Sequence, residues 1–263
     1  MEFSDHQIER YARHIVLREI GGAGQMRLLG ARVLVVGAGG LGSPLALYLA
    51  AAGLGTIGLV DDDVVSLSNL QRQILFAAAD IGQPKVDRAA ARLGEINPDV
   101  TVAPHAIRLD AGNVLELIAD YDVIADGSDN FATRFLLNDA CFLAQKPLVS
   151  AAIGQFEGQL STYKAYDGRS PCYRCLFPAP PPPGAVPSCT EGGVIGALAG
   201  VMGAMQATEV IKEILDIGTS AAGRLIIYDA LALRFRSLTV GRDPACALCG
   251  PKATIHDLSR HAA

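Results

Sequence analysis

Short apolar runs alternate with segments of helical periodicity through the first half of the chain. The runs 32–37 (RVLVVG) and 56–61 (TIGLVD) predict two buried parallel strands. Further elements are expected as helices near 43–52, 84–96, 111–119 and 130–144, and as strands near 100–104, 122–126 and 147–150. This alternation predicts an α/β fold, a Rossmann-like, doubly wound, mostly parallel sheet.

The pattern changes after Ser150. Residues 153–164 alternate like an antiparallel strand or a bent hairpin. The later elements are expected as a proline-rich loop at 178–187, a long helix at 194–216 ended by Gly218, and short strands at 224–228 and 233–240. We therefore expect one continuous domain in three parts: an N-terminal helical arm (1–30), a Rossmann-like part (31–150) and a C-terminal antiparallel lobe with a crossover loop (151–263).

Composition excludes several classes of protein. Half of the 263 residues are hydrophobic and the net charge is -5, which argues against disorder and against a basic nucleic-acid-binding surface. The charge-free stretch from Val33 to Val60 is long enough for a membrane span, but glycines divide it into strand, helix and strand. No signal-peptide pattern is present at the N-terminus. We expect a cytoplasmic protein with no membrane or nucleic-acid partner.

A glycine-rich turn follows the first predicted strand and precedes a helix. It comprises Gly37-Ala38-Gly39-Gly40-Leu41-Gly42, and Asp61 ends the next strand. Glycines allow close approach of phosphates to the backbone, a helix N-terminus favours anions, and an acidic side chain at this place suits a ribose. A nucleotide site is therefore predicted. On this motif alone, a nicotinamide-dependent oxidoreductase is the leading interpretation.

A second set of polar residues favours a different reaction. The segments 61–73, 82–85 and 126–130 bring Asn, Arg, Lys and Asp to the same predicted site. Hydride transfer has no need of these groups, whereas a reaction at a triphosphate requires charge neutralisation. Asp129 lies just beyond a strand, where a carboxylate suits Mg²⁺ on phosphate oxygens.

Six cysteines are present, and four of them form two CxxC pairs, Cys172/Cys175 and Cys246/Cys249. In a cytosolic chain such pairs predict a closed, structural Cys₄ zinc site. The alternative is four buried free thiols. Cys141 lies in an apolar helix and is expected in the core.

These motifs resemble those of the MoeB/ThiF/HesA family, the bacterial relatives of the adenylation half of ubiquitin-activating enzymes. The resemblance runs from Arg10-Tyr11-Ala12-Arg13 to Cys249 and includes the string SLSNLQRQ at 66–73. It implies roles in catalysis for Asp129, Arg72, Lys85 and Arg13, and it makes Cys189 a further candidate. It implies nucleotide contacts for Gly39, Gly40, Gly42, Asp61, Asp63, Asn69, Arg72, Gln73, Lys85, Asp129 and Asn130, with Asp129 also holding Mg²⁺.

The resemblance also implies a reaction and partners. ATP would adenylate the C-terminal Gly-Gly carboxylate of a ubiquitin-like sulfur-carrier protein, and a separate sulfurtransferase or cysteine desulfurase would then supply sulfur. The enzyme would be a homodimer in which Arg13 reaches the partner's nucleotide site, although the family usually has Gln where this chain has His14.

Three questions stay open at this stage. Cys189 either bonds covalently to the carrier or is a dispensable loop residue. The pathway is molybdopterin, thiamin, another cysteine- or siderophore-related route, or tRNA thiolation; the segments 167–175 and 228–230 favour MoeB-like members. A non-catalytic adaptor for a ubiquitin-like protein is the third function class, beside the adenylating enzyme and the oxidoreductase.

Overall fold

The computed structural model describes residues 3–182, 184 and 192–262. Its strands are β1 (Arg32–Val36), β2 (Thr56–Val60), β3 (Thr101–His105), β4 (Val123–Asp126), β5 (Leu148–Gly154), β6 (Glu157–Tyr163), β7 (Arg224–Asp229) and β8 (Arg234–Thr239). Its helices are α1 (Asp5–Ile15), α2 (Gly21–Gly30), α3 (Gly42–Ala51), α4 (Lys85–Ile96), α5 (Val114–Ala119), α6 (Phe131–Leu143), α7 (Tyr173–Leu176) and α8 (Gly196–Leu215).

The eight strands form one sheet in the order β3-β2-β1-β4-β5-β6-β7-β8. Strands β1 to β5 pair in parallel, and β5 to β8 pair antiparallel. The predicted α/β fold with a mostly parallel sheet and antiparallel C-terminal strands is confirmed. The chain winds outwards from β1 to β3 and then returns to place β4 on the other side of β1. Ligands bind beyond the carboxyl ends of the strands at such a reversal.

Successive side chains of a strand point to opposite faces of the sheet, and a separate hydrophobic core lies on each face. Val33 and Val35 of β1 face one core with α3, α4 and α8, whereas Leu34 and Val36 face the other with α5 and α6. Because both faces of the parallel strands are covered, their sequences are continuous apolar runs. This explains why the charge-free stretch in the sequence belongs to a buried sheet. Among the described residues, no helix is both long and apolar enough to cross a bilayer.

Local hydrogen bonds decide where several elements begin and end. The Ser4 hydroxyl caps α1 and the Gln7 side chain accepts from the Ser4 amide, which together form a capping box. Helix α5 begins later than expected because the Asp110 carboxylate binds the amides of the two residues at 112–113 and forms a turn there. Helix α8 ends at Leu215, where Asp216 takes a left-handed φ of 55°, rather than at Gly218.

Helix α1 lies at the amino ends of the parallel strands, away from the edge where ligands bind. The Tyr11 ring packs against Gly53, just before β2, where an added Cβ would lie 2.4 Å from the ring. The Tyr11 hydroxyl accepts a hydrogen bond of 2.9 Å from the Asn97 amide and lies 3.3 Å from Asp99, both just before β3. These contacts fix α1 at the amino ends of the strands, opposite the crevice at their carboxyl ends.

Candidate active site

The loops that follow β1 and β4 touch through glycines at the carboxyl edge of the sheet. Gly37 adopts a φ of 91°, and a Cβ there would lie 3.0 Å from the Gly127 carbonyl oxygen. A Cβ on Gly42 would lie 1.8 Å from the Gly37 carbonyl oxygen. Only glycine permits this approach, which brings the N-terminus of α3 to the reversal point of the sheet. The free amides at such a helix start favour a phosphate group.

Asp61 is hydrogen-bonded to the glycine loop from the end of β2. Its carboxylate accepts from the Ala38 amide at 2.8 Å and from the Asp63 amide at 3.0 Å, and it lies 3.8 Å from the Lys85 ammonium. Burial raises the pKa of Asp61 above its ordinary value, while Lys85 and the amide donors oppose that rise. The carboxylate is therefore held at the place where a ribose hydroxyl is bound in sheets of this topology.

Lys85 is a buried cation at the first position of α4. Only 4% of the residue is exposed, and its ammonium is 2.8 Å from the carboxylate of Asp63. The Lys85 amide also donates to the Asp63 carbonyl at 3.0 Å, which fixes the start of the helix. A lysine at a helix N-terminus opposes the helix dipole, so two positive features point at one place. The Asp63 side chain is 70% exposed, so an incoming phosphate can take its place beside the ammonium.

The segment 66–73 lies over the glycine loop. Cβ atoms built on Gly39 and Gly40 would contact the side chains of Gln73 and Arg72 at 3.6 Å and 3.5 Å, respectively. Gln73 is 4% exposed, and its Oε1 is a buried acceptor with no partner among the described residues. The Asn69 carbonyl accepts from the Gln73 amide at 2.9 Å, and this turn presents Arg72 and Gln73 to the glycines. These contacts place one guanidinium and one amide side chain beside the expected phosphate position.

Asp129 and Asn130 lie between β4 and α6. Asp129 is exposed, whereas Asn130 caps α6 by accepting from the Thr133 amide at 2.8 Å. The loop begins at the fully buried Asp126, whose carboxylate accepts from the hydroxyls of Ser128 at 2.6 Å and Ser150 at 2.7 Å. A rigid buried carboxylate thus supports the loop, and an exposed carboxylate stands at its end, available to a metal ion.

The structure therefore gathers most of the predicted site residues at one edge of the sheet. The residues brought together there are Gly39, Gly40, Gly42, Asp61, Asp63, Asn69, Arg72, Gln73, Lys85, Asp129 and Asn130. Arg13 is exposed on α1, at the opposite edge of the same subunit, and the neighbouring His14 contacts Gln25 at 2.9 Å. Cys189 lies outside the described residues.

The structure brings two further polar side chains to this edge, and their hydrogen bonds were not predicted from the sequence. Gln206 of α8 is fully buried and donates to main-chain carbonyls next to the site. Arg134 of α6 is buried as well and donates to two further carbonyls. A glutamine inside an otherwise apolar stretch of helix was the available signal for the first.

The four paired cysteines form a separate cluster, which packs against Phe142 of α6 and Ala165 after β6. Sulfur–sulfur distances are 3.9 Å for Cys172–Cys175, 3.5 Å for Cys172–Cys246 and 3.4 Å for Cys175–Cys249. A tetrahedral ion with metal–sulfur bonds of about 2.3 Å requires sulfurs about 3.8 Å apart. The hydrogen bond from the Cys172 thiol lowers the pKa of Cys175, whereas the pKa of Cys172 is raised. The residues present therefore fit a closed, structural metal site.

The surroundings of this cluster are structural. Arg174, between the first two cysteines, forms a bidentate ion pair with buried Asp139 at 2.7 Å to each oxygen, which holds α7 against α6. Cys141 is buried in the second core, as predicted, and burial raises its pKa. The ion pair and the Cys141 thiol are all buried and support the packing around the cluster.

A family model, described as the ThiF family, matches residues 11–248. The chain belongs to the ThiF family. The match covers the glycine loop, the segment 61–85, the Asp129 loop and most of the cysteine cluster, so the site described above lies inside the family's common region.

Named relatives agree with this assignment. The sulfur carrier protein adenylyltransferase of Thermus thermophilus is 49% identical over 261 residues, which cover 98% of this ThiF-family chain and 96% of that protein. The adenylyltransferase and sulfurtransferase MOCS3 of Bos taurus is 53% identical over 97% of this chain, which spans 56% of MOCS3. The crystal structure of Escherichia coli MccB with ATP has 25% identity and a TM-score of 0.77, covering 92% of this chain and 73% of MccB.

Proposed function

We propose that this protein uses ATP to adenylate the C-terminal Gly-Gly carboxylate of a ubiquitin-like sulfur-carrier protein. The main support for this proposal is that five features lie together at the reversal point of the sheet. They are the glycine loop, Asp61, Arg72, Lys85 and the Asp129 loop. The name of the Thermus relative, a sulfur carrier protein adenylyltransferase, supports the reaction class and the partner.

Each group has a role that its position supports. The amides of Gly39, Gly40 and Gly42 bind phosphates at the start of α3, and Asp61 binds the ribose. Asn69, Arg72 and Lys85 bind the phosphates and the leaving pyrophosphate, with Gln73 and Asp63 beside them. Asp129 holds Mg²⁺, which supplies charge neutralisation on the phosphates when it is bound, and Asn130 orients the loop.

The reaction needs positioning more than proton transfer. A carrier carboxylate oxygen attacks the α-phosphorus of ATP, the bond from that phosphorus to the bridging oxygen breaks, and pyrophosphate leaves with the electron pair. The carboxylate is ionised at neutral pH, so no general base is required. Cations that stabilise the developing charge and loops that fix the phosphates account for the acceleration.

A second subunit completes the site in this proposal. Arg13 lies at the opposite edge of its own subunit, so only the arginine of a partner in a homodimer reaches a given nucleotide site. A zinc ion in the cysteine cluster ties residues 172–175 to residues 246–249 and so stabilises the C-terminal part. A separate sulfurtransferase or cysteine desulfurase supplies sulfur to the adenylate. Paired cysteines that serve as metal ligands rather than as disulfides suit a reducing compartment such as the cytoplasm.

The test is ATP–pyrophosphate exchange by the purified protein with Mg²⁺ and a panel of carriers ending in Gly-Gly. Exchange is expected with one class of carrier and is expected to fall by at least about a hundredfold in Asp129→Ala. Asp87→Ala is the matched control, because Asp87 is an exposed carboxylate of α4 outside the site. Absence of exchange with a folded, zinc-loaded dimer would refute the proposal, and tight binding of NAD would favour the oxidoreductase.

A further inference from the structure

The start of the Asp129 loop is tied to β5 by a side chain from one face of the sheet. Gln206 of α8 donates from a single Nε2 to the carbonyl oxygens of Asp126 at 2.8 Å and Val149 at 2.9 Å. Because Asp126 is the last residue of β4 and Val149 lies in β5, this one amide bridges two neighbouring strands at the place where the loop leaves the sheet.

A second side chain makes the equivalent bridge from the opposite face. Arg134 of α6 donates to the carbonyl oxygens of Ser128 at 2.5 Å and Ala151 at 2.8 Å, and its guanidinium lies 3.8 Å from the Asp126 carboxylate. Each bridge joins the chain at the end of β4 to β5. The Arg134 bridge is two residues further along both segments than the Gln206 bridge. The Gln206 bridge lies at the last paired residues of β4 and β5, and the Arg134 bridge continues the connection into the loop.

Burying the Gln206 amide lowers the stability of the folded protein, which indicates that this side chain does more than fill the core. Gln206 is fully buried, and its Oε1 has no hydrogen-bond partner among the described residues. An unsatisfied buried amide oxygen destabilises the folded state relative to an apolar side chain of similar size. In return, the amide binds the carbonyls of Asp126 and Val149, and Asp126 is three residues before the exposed carboxylate of Asp129.

We propose that Gln206 and Arg134 are positioning residues, which hold the 126–129 loop from both faces of the sheet so that Asp129 meets the metal–nucleotide. This inference rests on the proposed function. The same loop lies against the glycine turn, since an added Cβ on Gly37 would be 3.0 Å from the Gly127 carbonyl oxygen. A shift of the loop therefore disturbs the metal ligand and the phosphate loop together.

The test compares Gln206→Met and Arg134→Lys with wild type. Methionine keeps the volume of glutamine without a donor, and lysine keeps the charge of arginine without the fork that binds two carbonyls. Thr162→Val is the matched control: Thr162 is also fully buried and donates to Glu209, one turn further along α8 and away from the loop. The measurements are Mn²⁺ affinity in the presence of ATP by electron paramagnetic resonance, kcat for pyrophosphate exchange, and unfolding in urea.

We expect both variants to bind Mn²⁺ with ATP about tenfold more weakly and to lose about ten- to a hundredfold in kcat, as a displacement near 1 Å produces. Thr162→Val is expected to keep wild-type metal affinity at a comparable loss of stability. If either folded variant matches Thr162→Val in metal affinity and kcat, the positioning role is refuted for that residue. Absence of exchange in the wild type would instead overturn the proposed function, and the metal titration would still decide the role of the two residues.

Discussion

Gly42→Ala changes one hydrogen to a methyl group at the tightest contact of the glycine loop. The added Cβ would lie 1.8 Å from the Gly37 carbonyl oxygen, whereas a carbon–oxygen contact needs about 3.3 Å. The loop must therefore open by about 1.5 Å, which is a main-chain movement because the opposing atom is a backbone carbonyl. Overpacking of this kind costs about 1–3 kcal/mol of unfolding free energy.

The functional effect is expected to exceed the loss of stability. A displacement near 1 Å in a phosphate-binding loop lowers turnover by about a hundredfold, so kcat/KM for ATP in pyrophosphate exchange should fall at least that far. Gly94→Ala is the control, since Gly94 lies inside α4 with nothing within 4 Å of an added Cβ. That change should stabilise the protein by about 0.5–1 kcal/mol and leave exchange unchanged.

Urea unfolding and exchange kinetics, measured on both alanine variants, decide the matter. If Gly42→Ala kept the wild-type kcat/KM for ATP while folding normally, the glycine loop would not be the phosphate site. If Gly94→Ala lost activity to the same extent, the effect would be a general one of added methyl groups in helices, and the steric argument would fail.

Three further predictions follow from other parts of the molecule. Arg13→Ala and Asp129→Ala are each expected to be inactive. When the two variants are mixed and re-associated, about half of the dimers contain one subunit of each kind, and each such dimer has one intact site of its two. Exchange should therefore recover to about a quarter of the wild-type rate, and no recovery would contradict a shared site. Cys172→Ser should lower the zinc content measured by atomic absorption and destabilise the protein by several kcal/mol, and a full equivalent of zinc in the purified variant would exclude Cys172 as a ligand. The Ala77 amide and Arg88 hold the pKa of Asp80 below its ordinary value. The ionised carboxylate therefore stabilises the protein above the unfolded pKa, and this stability is lost as pH falls through the folded pKa. Asp80→Asn should lower the free energy of unfolding in urea by about 1 kcal/mol at pH 7 and by less at pH 3, and equal losses at both pH values would contradict this.

The apolar runs and the residues that end them predict the parallel part of the fold well. The apolar runs before Gly37 and Asp61 become β1 and β2, because strands buried on both faces need no alternation. The end of α8 was not predictable from glycine position, because Asp216 takes the left-handed conformation two residues earlier. In the same way, the Asp110 turn that delays α5 depends on a local hydrogen-bond geometry that residue types only suggest.

The site is predictable where chemistry and strand ends coincide. Asp61 and Asp129 follow strands that meet at the reversal point, so topology brings them to one edge. The roles of Gln206 and Arg134 needed the structure, since their partners are main-chain carbonyls distant in sequence, which no side-chain pattern records. The position of Arg13 likewise follows only from the packing of α1 at the amino edge of the sheet.

Mass spectrometry of the carrier itself tests the central claim most directly. A Gly-Gly carrier incubated with the protein, ATP and Mg²⁺, and quenched in acid, should gain the mass of one adenylyl group at its C-terminus. The same carrier lacking its last two glycines should stay unchanged, and so should the intact carrier with Asp129→Ala. An unmodified Gly-Gly carrier across the whole panel, with folded wild-type protein and bound ATP, would contradict the account.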